Sequence, residues 1–344
     1  MTTNNFEEER KFNRRYWSDY RWMGRITECF HHDKSSCKGD IKQSHSLQRN
    51  GRLSLIEGDD GKGNQVVYTF TNSEVDGTTG LRYLKPLGKA TASTFFGFCD
   101  FHDTALFSPI ENFSFNNSDN HCFLHSYRSF ALSYHRHKEF VKFTKHGSHY
   151  SRSLPKHKLI EMLRCAELGI QEMEIEKRKL DVMLTSKSFC ELEYLTYQIP
   201  EKFAIACSSL ISPESSYKGY PMNNHSDSHK PFSQIMLTIL PDENETIIIM
   251  ACFSSDVNGT RFLNELDALA DLPLKKAISS LMISKAENTF FAPVLWDQLG
   301  AQGQKQLCRE FEDAVKSFRL PKGFVHTEVN FFDSKFVVNP LGIE

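Results

Sequence analysis

Cys29 and Cys37 stand ahead of Ser44-His45-Ser46-Leu47-Gln48, and Cys99-Asp100-Phe101-His102-Asp103 follows well downstream. Two thiols brought to a Cys-x-x-His pair supply the soft donors of a tetrahedral Zn2+ site. This pattern constrains the fold more than any other feature. A loop-rich segment too short to bury a core can be held by a metal instead. Two ligand sets are open. The set Cys29, Cys37, Cys99 and His102 leaves His45 free and is preferred over Cys37, His45, Cys99 and His102. A paired-thiol loop plus a second pair at a helix start is the commoner arrangement. The gap between Cys29 and Cys37 is long for such a loop, and His31 and His32 within it are further candidate ligands.

With 344 residues, the chain has room for two or three domains. Its 28 Phe argue for a sizeable buried core rather than disorder. A formal charge of −2 excludes a globally basic nucleic-acid binder, but not a local basic patch. No apolar run reaches the ~20 residues that span a bilayer, so no membrane partner is expected. Residues 1–15 are polar, with a Glu7-Glu8-Glu9 run, and do not read as a signal peptide. Nine cysteines make no disulfide framework, and Cys165, Cys190, Cys207 and Cys252 read as buried thiols of a cytoplasmic protein.

The expected fold is α+β, in four segments. Residues 1–25 form a helical, polar N-terminal segment. Residues 26–120 form a small zinc-stapled module of short strands, Val66–Phe70 among them. Residues 121–199 form an antiparallel helical pair. Apolar residues recur helically from Phe123 to Lys145, and Pro155 suits the first turn of a second helix. That helix carries the seam Leu159, Leu163, Ala166, Ile170, Met173, Lys177, Leu180 and Leu184, with a solvated face of Glu172, Glu174, Glu176, Arg178 and Lys179 opposite. An intermolecular coiled coil, giving a protein partner or homo-oligomer, is the alternative use of the seam. Residues 200–344 form a mixed α/β domain. Strands are expected at 203–207, 235–240, 247–253 and 325–332, helices at 259–270, 274–286 and 302–318, and a mobile loop from Ser212 to Lys230.

The motifs of the first third, together with Phe107-Ser108-Pro109-Ile110-Glu111 and Tyr127-Arg128, resemble a family of bacterial proteins that share them over about residues 26 to 140. That resemblance implies no particular activity. A more distant one is to HNH endonucleases with a zinc-stapled treble clef. It implies His45 as the general base that activates water for phosphodiester attack, and Asp103 as a ligand to catalytic Mg2+ or another divalent cation. Ser44 departs from that pattern, because an acidic metal ligand is usual there, so Asp100, Asp103 or Glu111 would have to supply the carboxylates. Arg128 has the planar fork that suits a phosphate, and Glu111 is either exposed or its partner.

Arg136, Lys138, Lys142, Lys145, Arg152, Lys156 and Lys158 form a basic connector interleaved with histidines, in which Glu139 is the only acid. It is a candidate contact for DNA or RNA phosphates. No dinucleotide fingerprint, phosphate-binding loop, nucleophile elbow or zinc-deaminase signature is present. Two functions fit: a zinc-containing HNH-like nuclease or nucleic-acid-binding effector, with bacterial defence as one setting, and a non-catalytic zinc-stapled interaction or scaffold protein.

Overall fold

The computed structural model describes residues 3–70, 81–146, 156–224, 230–316 and 323–338. The helices are α1 (Thr3–Met23), α2 (Asp100–Asn112), α3 (Asp119–Lys145), α4 (Lys156–Ser186), α5 (Val257–Asp267), α6 (Asp271–Ser284) and α7 (Pro293–Lys316). The first five strands are β1 (Ile41–His45), β2 (Gly58–Asp59), β3 (Gln65–Phe70), β4 (Leu84–Gly88) and β5 (Thr94–Cys99). The remaining five are β6 (Leu192–Ile199), β7 (Ile205–Ile211), β8 (Ile235–Pro241), β9 (Thr246–Phe253) and β10 (Thr289–Phe291).

Strands β7, β8 and β9 are almost wholly buried, so helices must cover both faces of their sheet. The order is β2-β3-β10-β7-β8-β9-β6, all antiparallel, with β4 also paired to β3. Leu237, Ile239, Ile248 and Met250 turn toward Phe262, Leu266, Leu274 and Ile278 of α5 and α6. Ser208, Thr238 and Met236 turn the other way, under α3, where Ser129 Oγ lies 2.9 Å from Ser208 Oγ and 2.8 Å from Thr238 Oγ1. Pairing these hydroxyls lets a long, buried helix cross polar strand positions without leaving orphaned groups.

Helices α3 and α4 are antiparallel. His137 meets Ala166, Tyr134 meets Glu174 and Tyr127 meets Asp181, so positions advance along α4 as they recede along α3. The seam finds its partner within the chain, burying Ala166, Met173 and Leu180. Lys177 on that seam is held by Asp181 at 2.6 Å and by the Phe30 ring at 4.6 Å. The opposite face is less solvated than expected: Glu172 accepts from Phe232 N and Glu174 from Tyr134 Oη.

Strands β3 and β4 come from the 26–120 segment yet join the large sheet through Phe291↔Tyr68, so the sheet crosses the boundary expected near residue 120. The expected strand at 325–332 is not a strand. There, Thr327 N and Phe331 N donate to Ser280 Oγ and Ser279 Oγ of α6 rather than to a neighbouring strand, and a 3-10 turn follows at Ser334–Phe336. Residues 212–224 do not behave as a free loop either. The Asn223 amide donates to Pro213 O and Ser233 O and accepts from Ser233 N, while residues 225–229 lie outside the described residues. Cys207 and Cys252 are buried as expected, but Cys165 and Cys190 are exposed. No helix among the described residues is long and apolar enough to cross a membrane.

Candidate metal centre and the polar site beside it

The loop before β1 is shaped by its own short polar residues. Asp33 Oδ1 accepts from Ser35 N at 3.0 Å and Ser36 N at 3.3 Å, which turns the chain so that Cys37 returns toward Cys29. Hydrogen bonds from Ser35 and Ser36 hold the Asp33 carboxyl far below the usual carboxylate range. Gly39 follows at φ 73°, where a Cβ would lie 2.9 Å from Asp100 Cβ, so only glycine brings the loop against the start of α2. Cys99 ends β5 and forms the N-cap position of α2, and His102 lies in that helix's first turn.

Cys29, Cys37, Cys99 and His102 thereby present donor atoms all within 4.8 Å of one another, and they form a set that can hold a metal ion. His102 Nδ1 lies 3.4, 3.6 and 3.2 Å from the sulfurs of Cys29, Cys37 and Cys99. Zn–S bonds of ~2.3 Å and a Zn–N bond of ~2.0 Å at tetrahedral angles give S···N edges of about 3.5 Å, so the spacing is consistent with zinc. The other ring nitrogen, Nε2, lies 3.0 Å from Ser36 Oγ, an arrangement that leaves the Nδ1 lone pair for a cation. Burial and the neighbouring sulfurs of Cys29 and Cys99 push the Cys37 thiol up to about 12. Burial also opposes ionisation of Cys99, but backbone N–H groups of His102 and Lys38 bring its thiol below the ordinary value. Sulfurs this close ionise together only with a cation among them.

His45 stands outside this set. His31 and His32 are not ligands in it either; they stack face to face, His31 on His102 at 3.8 Å and His32 on His31 at 4.4 Å. Phe30, between Cys29 and His31, enters a cluster of Phe98, Tyr127, Phe130 and Tyr134 with ring centroids 5.2–6.1 Å away. The metal loop thus shares a hydrophobic core with α3, contrary to the expectation of a segment without one.

A second group of polar residues lies where β1, α2 and α3 meet. The β1–β5 register shifts between Lys42 and Ser44, and this irregularity turns Ser44 into the interior. His45, half-buried as a residue, then pairs with Thr94, and its buried Nε2 has no hydrogen-bond partner. Burial, then the charge of Arg128, lowers His45 to about 4, against the pull of the Ala90 carbonyl, so the imidazole is neutral at pH 7. Asp103 Oδ1 is likewise buried without a partner, and burial raises its carboxyl against the influence of Arg128 and the Ser44 hydroxyl. Arg128 is 3% exposed; it is ion-paired with Glu111, lies 4.1 Å above the Phe107 ring, and has an unpartnered Nε. The charges of Arg128 and Glu111 act on both His45 and Asp103. Gln48 Nε2 donates to Glu111 O at 3.1 Å and ties the end of the β1 motif to α2.

The neck of the β1–β5 hairpin is fixed to the large sheet. Ser46 N donates to Ser93 O at 2.8 Å, closing the insertion that holds β2, β3 and β4. Asn288 Nδ2 reaches both Ser46 Oγ and Ser93 Oγ at 3.0 Å, while Arg136 donates to Asn288 Oδ1 at 3.3 Å. Arg136 is therefore a buried-side tether rather than an open phosphate contact. The other described cations of the connector are also engaged within the chain: Lys138 with Glu28, Lys142 with Arg25 O at 2.6 Å, and Lys145 with Glu167 at 3.0 Å. Arg152 and the side chains of Lys156 and Lys158 lie outside the described residues.

Two residues beside the polar site carry no recognisable motif in the sequence. His125, 6% exposed and held far below its ordinary value by burial and then by Arg52 and Arg128, lies one turn before Arg128 on α3. His121 lies one turn earlier still, with an unpartnered, buried Nδ1. Their helical spacing to Arg128 is the one signal that could have found them. Comparison with protein families, curated proteins and solved structures finds no match.

Proposed function

We propose that this chain is a metal-dependent phosphodiesterase of the HNH kind, with Cys29, Cys37, Cys99 and His102 around a structural zinc and His45 as general base. The observation that carries this reading is a set of buried, unpartnered polar atoms on β1, α2 and α3: Ser44 Oγ, His45 Nε2, Asp103 Oδ1 and Arg128 Nε. A buried polar atom without a partner is costly, and several on neighbouring elements that act on one another electrostatically support a place for a ligand. Chain order supports the treble-clef comparison as well: a thiol loop, a β-hairpin, then a helix whose start bears the last two metal ligands.

In this reading the neutral His45 takes a proton from water through Nε2, which its lowered pKa permits at neutral pH. The Arg128 guanidinium orients a phosphate and offsets the charge that develops on it. Asp103, with Glu111 near it, would hold a divalent cation, which supplies Lewis-acid stabilisation of the leaving oxygen. Ser44, buried where a second acid would stand, has an unpartnered Oγ and lowers the Asp103 carboxyl against its burial. The substrate is DNA or RNA, and bacterial defence is a setting in which such an effector would act.

The test is nicking of supercoiled DNA by zinc-loaded protein with and without added Mg2+ or Mn2+. Divalent-dependent nicking that falls at least a hundredfold in Asp103→Asn is expected. The internal partners of Lys138, Lys142 and Lys145 favour the second reading, a zinc-stapled interaction protein. Absence of nicking in zinc-loaded, folded protein with every divalent ion tried would select it.

A further inference from the structure

Helix α1 ends at Met23, and Gly24 is pressed so closely on α3 that a Cβ there would lie 2.9 Å from Glu139 O. The face of α1 that meets α3 is aromatic. Tyr16 and Tyr20 stand edge-on to Phe143 at 5.2 and 5.4 Å, and Tyr20 Oη donates to Arg136 O. The opposite face carries Lys11, Arg14, Arg15, Arg21, Trp22 and, just past the helix end, Arg25, all exposed. Spacings of three, four and seven place Lys11 to Trp22 in one stripe, about 16 Å long at 1.5 Å per residue, which Arg25 extends past the helix end. Asp19, beside the stripe, faces Arg15 at 3.7 Å, an exposed pair that contributes little. Arg25 stacks on Phe96 at 4.3 Å, two residues from Thr94, the cross-strand partner of His45. The stripe therefore leads toward the hairpin that carries the proposed base.

We infer that this stripe of α1, rather than the basic connector, is the surface on which a nucleic-acid duplex docks. Cations aligned on a rigid helix, in a chain whose formal charge is −2, complement a regular line of phosphates. A single-stranded partner is normally held on successive aromatic platforms, whereas Trp22, 79% exposed, stands alone among the cations. An anionic membrane surface would require several apolar side chains on the free face, and the aromatic face of α1 is already used against α3. The inference deepens the nuclease reading by naming how its substrate is gripped, and it rests on that reading only for the substrate class.

The experiment measures anisotropy of a labelled DNA duplex across a salt series with zinc-loaded His45→Ala protein and no added divalent ion, so binding is read apart from cleavage. The comparison adds Lys11→Glu, Arg15→Glu and Arg21→Glu together, with circular dichroism and zinc content confirming the fold. The charge reversal should weaken binding at least tenfold and reduce the slope of log K against log salt by about two to three, at ~0.9 for each phosphate that is no longer neutralised. Reversal of Lys138, Lys142 and Lys145 should leave that slope nearly unchanged. Unaltered affinity in the α1 variant overturns the inference, as does preferential binding to a single strand. Binding to phosphatidylserine vesicles but not to the duplex also overturns it. Duplex binding through α1 in a protein that never nicks would uphold the docking surface while removing the nuclease reading.

Discussion

The metal loop with its hairpin and the central strands of the large sheet secure their backbones in opposite ways. Strands β7, β8 and β9 satisfy one another through long antiparallel ladders and bury aliphatic side chains on both faces. The segment from Cys29 to His45 has one short strand, and it relies on Asp33 turns, a donor set for a metal and one anchoring ring, Phe30. Where backbone pairing is continuous, stability is distributed and no single side chain dominates. Where it is sparse, a few groups carry the fold, and beside it polar atoms of His45, Asp103 and Arg128 are buried without partners.

Metal removal should separate the two regions most sharply. Chelation, or Cys99→Ser, is expected to abolish hydrogen-exchange protection from Cys29 to His45 and from Thr94 to Asn112 while amides of β7, β8 and β9 remain protected. Structural zinc contributes on the order of 10 kcal/mol to isolated zinc modules, far more than any single side chain here. Equal loss of protection in both regions would show that they fold as one unit.

Phe30→Ala gives the next largest effect. Its ring meets four other aromatic rings while its neighbour Cys29 holds a ligand position, so removal should cost about 3–5 kcal/mol with metal still bound. Denaturant unfolding with parallel zinc analysis measures this. A change below ~1 kcal/mol would mean that the shared core contributes little and that the metal alone holds the loop.

A smaller effect concerns pH. His135, 4% exposed with Nε2 3.1 Å from Phe96 O, is lowered by burial to about 4. The unfolded state takes up the proton near the ordinary value of 6.5, so stability is full above that pH and declines as pH falls toward 4. The loss from this group reaches roughly 3 kcal/mol at the low end. His135→Gln should flatten that part of the stability profile, measured by chemical unfolding between pH 7 and pH 5. An unchanged profile would place the acid sensitivity elsewhere, including at the metal ligands.

Periodicity makes much of the frame legible. The α3 pattern and the β8–β9 hairpin follow from apolar spacing, because each element is decided mainly by its own residues. The last segment departs from its strand-like pattern because Phe331 and Phe336 are buried while the Phe331 amide bonds a serine of α6, which no local pattern reveals. The Asn223 amide similarly satisfies a segment whose composition is that of a loose loop. At the metal centre, ligand chemistry identifies Cys29, Cys37, Cys99 and His102 as a compatible set, while Ser36 behind His102 depends on how the loop turns. The basic connector shows the converse: its charge is readable, but not that Lys138 meets Glu28 or that Arg136 meets Asn288. The α1 stripe is obscured by the Glu7-Glu8-Glu9 run that precedes it.

The most direct measurement is divalent-dependent nicking by His45→Ala, with zinc content and melting temperature determined on the same preparation. His45 lies outside the Cys29, Cys37, Cys99 and His102 set and has an unpartnered Nε2, so its loss should leave zinc and stability nearly intact and lower nicking at least a hundredfold. A His45→Ala protein that nicks at the wild-type rate, or that loses its zinc, would contradict the division between a structural metal centre and a hydrolytic site beside it.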